Sequence, residues 1–354
     1  MASALYDERH GFYSRVPSRA GDYFTSVTVH PQLFGMLLAR HLDDVWTALG
    51  APRPFRVVEL GCGSGALACQ IASAAQERPW REHLAYVGVE RSAPARARAR
   101  KQAPTAAFVP SLDAIDAGPA AAILSNELFD ALPVRLLQRN GGDWVELRVG
   151  LSDDLPALEP SAADVEAKAY ARRYGQDVPD GGIIEMREGV AEIYANVRRI
   201  ARRWVMTGID YGGLAAEVHG PRFSQGTLLA YRQHRASDDV LADPGSSDLT
   251  AHVNFSELID VGADAGATAA RLSTQGDFLT ALGIGEHLPA VQRRPNLSVA
   301  DYTREREAVF QLVSPTDLGR FRVLVQARDA VIDRLRGLPP TAAAPQPDTG
   351  KDDG

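Results

Sequence analysis

The run Phe55-Arg56-Val57-Val58-Glu59-Leu60, followed at once by Gly61-Cys62-Gly63-Ser64-Gly65, constrains this chain more than any other feature. A short apolar run bounded by glycine reads as a buried strand. Helical spacing from Ala66 to about Gln76 makes the glycines a strand-to-helix turn. Glycine there lets the backbone turn sharply and approach a ligand with no Cβ in the way. The helix that follows points its free N–H groups at that ligand. In an open α/β sheet, ligands lie at the carboxyl ends of the strands.

The rest of the chain keeps the same rhythm. Pro31 opens a helix over 31–49. Strands are expected over 55–60, 84–89, 106–109 and 120–125, with helices over 66–76 and 94–103 between them. That alternation predicts an α/β fold with a mostly parallel sheet and helices on both faces. Two strand-like runs flank Asn140-Gly141-Gly142, a hairpin signal. Further on, a helix is expected over 189–203, a strand over 204–209, a helix over 254–266, a strand near 268–272 and a late strand over 321–326. Residues 1–30 read as loop, 151–182 as a polar insertion or lid, and 212–250 as irregular. The expected organisation is a covering loop and helix over 1–50 and a ligand-binding Rossmann-like core over 51–150. An insertion or substrate region over 151–250 carries one core helix and strand, and 251–336 completes the core sheet. A Pro/Ala/Asp-rich tail over 337–354 is expected to be disordered.

Charge narrows the partners. The net charge of −7 lacks the basic surface of a duplex-binding protein. The basic runs Arg96, Arg98, Arg100, Lys101 and Arg198, Arg199, Arg202, Arg203 have no interleaved aromatics and read as solvated faces, so no nucleic acid is expected. No apolar run approaches the roughly 20 residues of a membrane span. Met1 to His10 carries neither a signal nor a transit pattern, so the expectation is a cytoplasmic protein with no membrane partner. Cys62 and Cys69 have no companions at metal-ligand spacing; they read as reduced structural thiols, with no metal site.

Which ligand the glycine turn holds is ambiguous at first. Gly61, Gly63 and Ala66 also satisfy the dinucleotide fingerprint. Glu90, ending the second strand, would grip ribose hydroxyls in either class. Three features favour S-adenosylmethionine: Gly65 two residues after Gly63, acidic Glu59 where a cationic amino-acid ligand would lie, and no further nicotinamide signature. Such a donor needs little activation, only alignment with its acceptor and exclusion of water. The strand over 120–125 runs into Asn126-Glu127-Leu128-Phe129-Asp130-Ala131-Leu132-Pro133. Asn126, Glu127 and Asp130 either stand beside the donor's methyl end or form a helix cap with solvated acids. His252 is a candidate general base, with a backbone-bonded structural histidine as its rival. Asp210 and Tyr211 end a strand on the ligand side, and Tyr231, Arg232 and His234 read as a partner-binding or a solvated loop.

These blocks resemble the MidA-like class I methyltransferases, relatives of the mitochondrial complex I assembly arginine methyltransferase. The resemblance starts with Ala4-Leu5-Tyr6-Asp7, Gly11-Phe12-Tyr13 and Gly21-Asp22-Tyr23-Phe24-Thr25-Ser26, then Phe34-Gly35. The glycine turn and Asn126–Pro133, the most specific segment, follow, with Trp144-Val145-Glu146 in register. It continues through Ile209–Gly212, Gly226-Thr227-Leu228, Tyr231–His234, Asp248–Val253, Thr274–Leu279 and Leu318–Phe321. The resemblance implies S-adenosyl-L-methionine bound by Gly61, Gly63, Gly65, Glu90 and Ser92, with Leu112 and Asp113 near the adenine. It implies Thr25 and Ser26 folded over the donor, and Glu127 with Asn126 facing the acceptor. Cys62 stands where the family commonly has proline, and 151–182 matches no family motif. The expected activity is methyl transfer to an arginine of a partner protein. The alternatives are a small molecule or biosynthetic peptide as acceptor, or a non-catalytic assembly factor that binds the donor for structure. A homodimer is compatible with the sequence.

Overall fold

A computed structural model describes residues 1–15, 25–232 and 235–338. The chain first lays down β1 (Phe55–Leu60), β2 (Leu84–Val89), β3 (Ala107–Val109) and β4 (Gly118–Asn126). An antiparallel set, β5 (Val134–Asn140), β6 (Asp143–Ser152), β7 (Leu155–Ala162) and β8 (Ile183–Arg187), comes next, then β9 (Ala201–Asp210). Short strands β10 (Gly212–Gly213), β11 (Leu229–Arg232), β12 (Arg235–Ser237), β13 (Asp248–Thr250) and β14 (Val253–Asn254) lead to β15 (Ala269–Thr274) and β16 (Arg322–Arg328). The helices are α1 (Ala2–Tyr6), α2 (Phe12–Arg15), α3 (Leu33–Ala48), α4 (Ala66–Ala74), α5 (Ala93–Gln102) and α6 (Val165–Tyr174). They continue with α7 (Val190–Ile200), α8 (Ala215–Val218), α9 (Phe255–Asp264), α10 (Gln275–Ala281), α11 (His287–Gln292) and α12 (Val299–Val313).

Seven strands form one sheet in the order β3-β2-β1-β4-β9-β16-β15. The pairs from β3 to β9 are parallel, and β16 runs antiparallel to both β9 and β15. This is the mostly parallel α/β sheet expected of the class I methyltransferase fold. Strand alternation decides which face each side chain covers. Val57, Ala122, Leu124 and Val205 join the cluster under α3, α4 and α10, while Val58, Ala121, Ile123 and Met206 join the cluster under α7 and α9. Both faces are therefore dry, and the strand order reverses between β1 and β4. That switch point opens a crevice at the carboxyl ends of these two strands.

The second sheet, β7-β6-β5-β8, is antiparallel. Residues 151–182, read as a polar insertion or lid, carry regular structure: β7 pairs along β6, and α6 packs on the sheet through Ala167, Tyr170 and Ala171. The composition misled because Leu151, Leu155 and Leu158 on this hairpin face solvent while Ala and Tyr make the packed face. Residues 1–30 are also corrected: α1 and α2 lie there, and Leu5 and Phe12 pack against Ala230 and Leu249. The helix expected over 189–203 ends at Ile200, where β9 takes over. Several of the arginines expected to be solvated are tied down. Arg199 donates to the carbonyls of Leu112 and Ile115, and Arg96 to those of Glu90 and Arg91. Among the described residues, no helix is long and apolar enough to cross a membrane. Residues 21–24, His234 and the tail from 339 lie outside the described residues.

Candidate active site

The glycine turn leaves β1 and enters α4. Gly61, Gly63 and Gly65 have φ of 67°, 51° and 80°, a region that side chains disfavour. A Cβ on Gly65 would come within 2.9 Å of Ala99 on α5, so this glycine lets two helices approach. At Gly63 a Cβ would meet nothing within 4 Å, so this stretch of backbone is open to a ligand. Glu90 stands across from it. Its Oε2 accepts the Gly63 N–H at 3.1 Å and its Oε1 the Ser92 N–H at 2.6 Å. The turn, the N-terminus of α4 and Glu90 thus form one cradle. It fits a ligand with an amino-acid end and a ribose, because a carboxylate can accept two vicinal hydroxyls there.

Ser92 meets this cradle through its backbone N–H, while its side chain and the other expected donor residues have partners of their own. The Ser92 side chain caps α5, accepting from the Ala95 N–H. Leu112 is buried in the core cluster, and Asp113 turns to solvent 3.7 Å from Arg199. Glu59 is turned into the core, where it accepts the Tyr86 hydroxyl at 2.8 Å. Burial raises its carboxyl to about 7, so it holds a structural bond rather than facing a cationic ligand.

At the end of β4 the backbone bends sharply. Glu127 has φ +52°, a conformation strained for a non-glycine residue and frequent at functional sites. The strain is held by Asp210 at the end of β9. Its Oδ2 accepts the N–H groups of Leu128, Phe129 and Asp130 at 3.1, 2.9 and 3.3 Å. Glu127 Oε1 accepts the Asn126 amide at 2.9 Å and the Ser26 N–H at 3.1 Å. Ser26 therefore meets Glu127 directly, while among the described residues Thr25 bonds within its own turn, to Thr28 and Val29.

The acids here are pushed toward neutrality. Burial, then the nearby Asp130 charge, raises Glu127 to about 8. Burial raises Asp130 to about 6 against hydrogen bonding from Tyr211 and the charge of Arg187. Burial together with Asp130 and Glu127 raises Asp210 well above the usual range. Burial, followed by Asp130, raises Asp248 to about 7 while Tyr13 donates to it at 2.8 Å. Asn126 Oδ1 and Asp130 Oδ1 are buried acceptors with no hydrogen-bond donor among the described residues. Such atoms are costly unless a donor reaches them.

His252 sits between Tyr211 and Phe223, ring centroids 5.5 and 5.0 Å away. Burial, reinforced by Arg320 and Arg187, lowers it to about 4, which makes it an aromatic wall and a weak base. Sequence reasoning missed Arg187. This buried guanidinium donates through Nη2 to the carbonyls of Ala251 and His252, and its charge acts on Asp130, Glu185, Asp210 and Glu257. The sequence carried no signal for it, because the carbonyls it donates to lie more than sixty residues on.

A second group lies behind residues 25–33, beside a cleft of 630 Å³ lined by Met36, Arg40, His287 and Arg294. His30 and His287 both reach Glu305, at 3.0 and 2.6 Å, and the three side chains are close enough to ligate a metal. The proton arrangement opposes it. His30 Nδ1 accepts the N–H groups of Gln32 and Leu33, so its Nε2 carries the proton that Glu305 accepts. A metal-ligating histidine has the opposite second shell.

Comparison with known proteins extends this picture. Residues 37–273 match a family described as S-adenosyl-L-methionine-dependent methyltransferases. The protein arginine methyltransferase NDUFAF7 homolog, mitochondrial, of Drosophila melanogaster is 28% identical over 287 residues, covering 72% of this chain and 63% of its own. The Homo sapiens protein arginine methyltransferase NDUFAF7, mitochondrial, is 27% identical over 333 residues, covering 84% and 71%. The chain spans 63% and 64% of the length of the fly and Rattus norvegicus relatives. A crystal structure from Burkholderia thailandensis, bound to S-adenosyl-homocysteine, matches with a TM-score of 0.79 at 27% identity over 93% of this chain and 87% of that one.

Proposed function

The chain belongs to the S-adenosyl-L-methionine-dependent methyltransferase family matched over residues 37–273, and from that premise we propose that it methylates an arginine guanidinium of a partner protein. The observation that carries the acceptor assignment is the pair of buried, donorless oxygens, Asn126 Oδ1 and Asp130 Oδ1, flanking Glu127. A guanidinium brings several N–H donors in a planar fork and a positive charge, which suits acceptors that lack donors and carboxylates that resist ionising alone. A phenol or a carboxylic acid would bring one proton at most and no compensating charge. The fly and human relatives, both named as protein arginine methyltransferases, support the same reading.

When bound, the donor supplies an electrophilic methyl on a sulfonium. Gly61–Gly65 and Glu90 would hold it. Glu127 and Asp130 orient the guanidinium and balance its charge. Raised to about 8, Glu127 carries a proton near neutral pH and gives it up as the cation arrives. During transfer a nitrogen–methyl bond forms, the sulfur–methyl bond breaks and its electron pair stays on sulfur. The guanidinium nitrogen loses one proton, which Glu127 accepts. Ser26, packed against Glu127 with no exposed surface, keeps water from that carboxylate.

Calorimetric titration with S-adenosyl-L-methionine, beside Glu90→Ala, tests the donor half. Binding that weakens at least tenfold in the variant is expected; equal binding in both proteins would remove Glu90 from the site. The acceptor half is tested with radiolabelled donor and paired peptides carrying arginine or lysine. Label in the arginine peptides alone is expected, and label in the lysine peptides alone would overturn the assignment.

A further inference from the structure

The Thr274–Leu279 block has no part in the donor cradle or in the turn after β4, yet it reaches Glu127 through one intermediary. Gln275 opens α10 and has no exposed surface. Its Nε2 donates to the Leu312 carbonyl at 3.1 Å. That commits the amide, leaving Oε1 as an acceptor, and Oε1 takes the Ser26 hydroxyl proton at 2.8 Å. With its hydroxyl spent, Ser26 presents only its backbone N–H to Glu127 Oε1, at 3.1 Å. The Gln275 N–H is itself fixed, donating to the Phe321 carbonyl at 2.7 Å.

We propose that Gln275 is a positioning residue for Glu127, acting through Ser26. It rests on the reading of Glu127 as the acceptor-facing carboxylate. A leucine of similar volume would fill the same space with no polar atoms to satisfy. What leucine cannot do is accept the serine proton. Without Gln275 the hydroxyl turns to other acceptors, and the backbone N–H loses its fixed aim at Glu127.

The segment is a wall rather than a loose flap, because other buried groups hold it too. Gln70 Nε2 donates to the Val27 carbonyl at 2.9 Å, and its Oε1 accepts the Gly35 N–H at 2.8 Å. His30 is tied to Glu305 at the far end. Removing Gln275 alone therefore leaves the segment in place and alters the one bond that reaches the chemistry. Around Glu127, burial and then the Asp130 charge hold the carboxyl up, while the Ser26 N–H and the Asn126 amide pull it down. Losing one of two donors has a direct signature: Glu127 titrates higher.

The experiment follows the Glu127 carboxyl carbon by NMR in protein labelled at glutamate side chains, with Glu127→Gln identifying the resonance. In Gln275→Leu the midpoint is expected to rise by about one unit, a tenfold change in ionisation. Ser26→Ala, a milder change, is expected to give a similar rise, and the double variant no more than either alone. A purely structural glutamine would lower the melting temperature and leave the midpoint where it was. An unmoved midpoint in Gln275→Leu, or additive shifts in the double variant, would overturn the proposal. The readout needs neither donor nor acceptor, so its failure is distinct from a failure to transfer methyl groups.

Discussion

Glu127→Gln should leave the protein more stable and unable to methylate, and the gain in stability should grow with pH. The sign follows from linkage. Glu127 is raised from its ordinary 4.5 to about 8, so the folded state holds its proton over a range where the unfolded chain has lost it. Its favourable neutral form is fully present below the unfolded value, and the penalty accumulates as pH rises toward the folded value. Glutamine keeps the neutral shape at every pH and can still accept the Ser26 N–H. Taken at face value, the shift makes parent and variant diverge by about 3 kcal/mol between roughly pH 6 and roughly pH 9. Glu127 is only partly buried as a whole residue, and solvent screening reduces that to about 1–2 kcal/mol. For a chain of this size that corresponds to a few degrees in melting temperature. The assay is calorimetric melting of both proteins across that range, reading the difference between them rather than either curve alone. A gap that is flat with pH, or that narrows as pH rises, would refute the idea that the fold holds Glu127 protonated. A variant that still labels arginine peptides would refute its role as the proton acceptor.

Asp210→Ala removes the acceptor of three backbone N–H groups in the strained turn. A loss of about 2–4 kcal/mol is expected in denaturant unfolding, and a loss under about 1 kcal/mol would show that the turn holds itself. Arg187→Met removes the buried cation that acts on Asp130, Glu185, Asp210 and Glu257. It should cost about 2–3 kcal/mol near pH 8 and distinctly less near pH 5, where Asp130 and Glu257, raised to about 6 and about 7, are protonated; melting curves at the two values would show a pH-independent loss if the arginine served only its carbonyl partners.

What could be read from the sequence was what local physics controls. The β1 run and its glycines announce a strand, a turn and a helix because each signal lies within a dozen residues. Glu90 could be placed at a strand end by the same means. The acids after β4 were visible as residues, but their chemistry was not. No spacing rule gives Glu127 a positive φ, or lifts its carboxyl to about 8: the turn is held by Asp210, eighty residues on, and the carboxyl is raised by burial and then by the Asp130 charge, which only the assembled fold sets. Glu59 failed in the opposite direction: a strand-end acid looks like a ligand contact until Tyr86 on the next strand is seen to claim it. The β7 strand was hidden because its leucines face solvent and none of its residues is buried, so it carries no alternating apolar signal; it is held by its ladder to β6.

The pattern in these failures has a physical reason. A carboxylate can be chosen by a local segment, but its protonation state is set by everything packed around it, and in this fold that means α10, β8, β9 and the segment before α3. Gln275 acts through Ser26, Arg187 through its charge on Asp130, and Asp210 through three bonds to the turn. None of these residues touches the cradle for the donor. The donor half of the site is therefore a local motif that survives wherever the glycine turn survives, while the acceptor half exists only when the whole sheet is assembled. Substitutions far from Glu127 should thus retune acceptor chemistry while leaving donor affinity nearly unchanged.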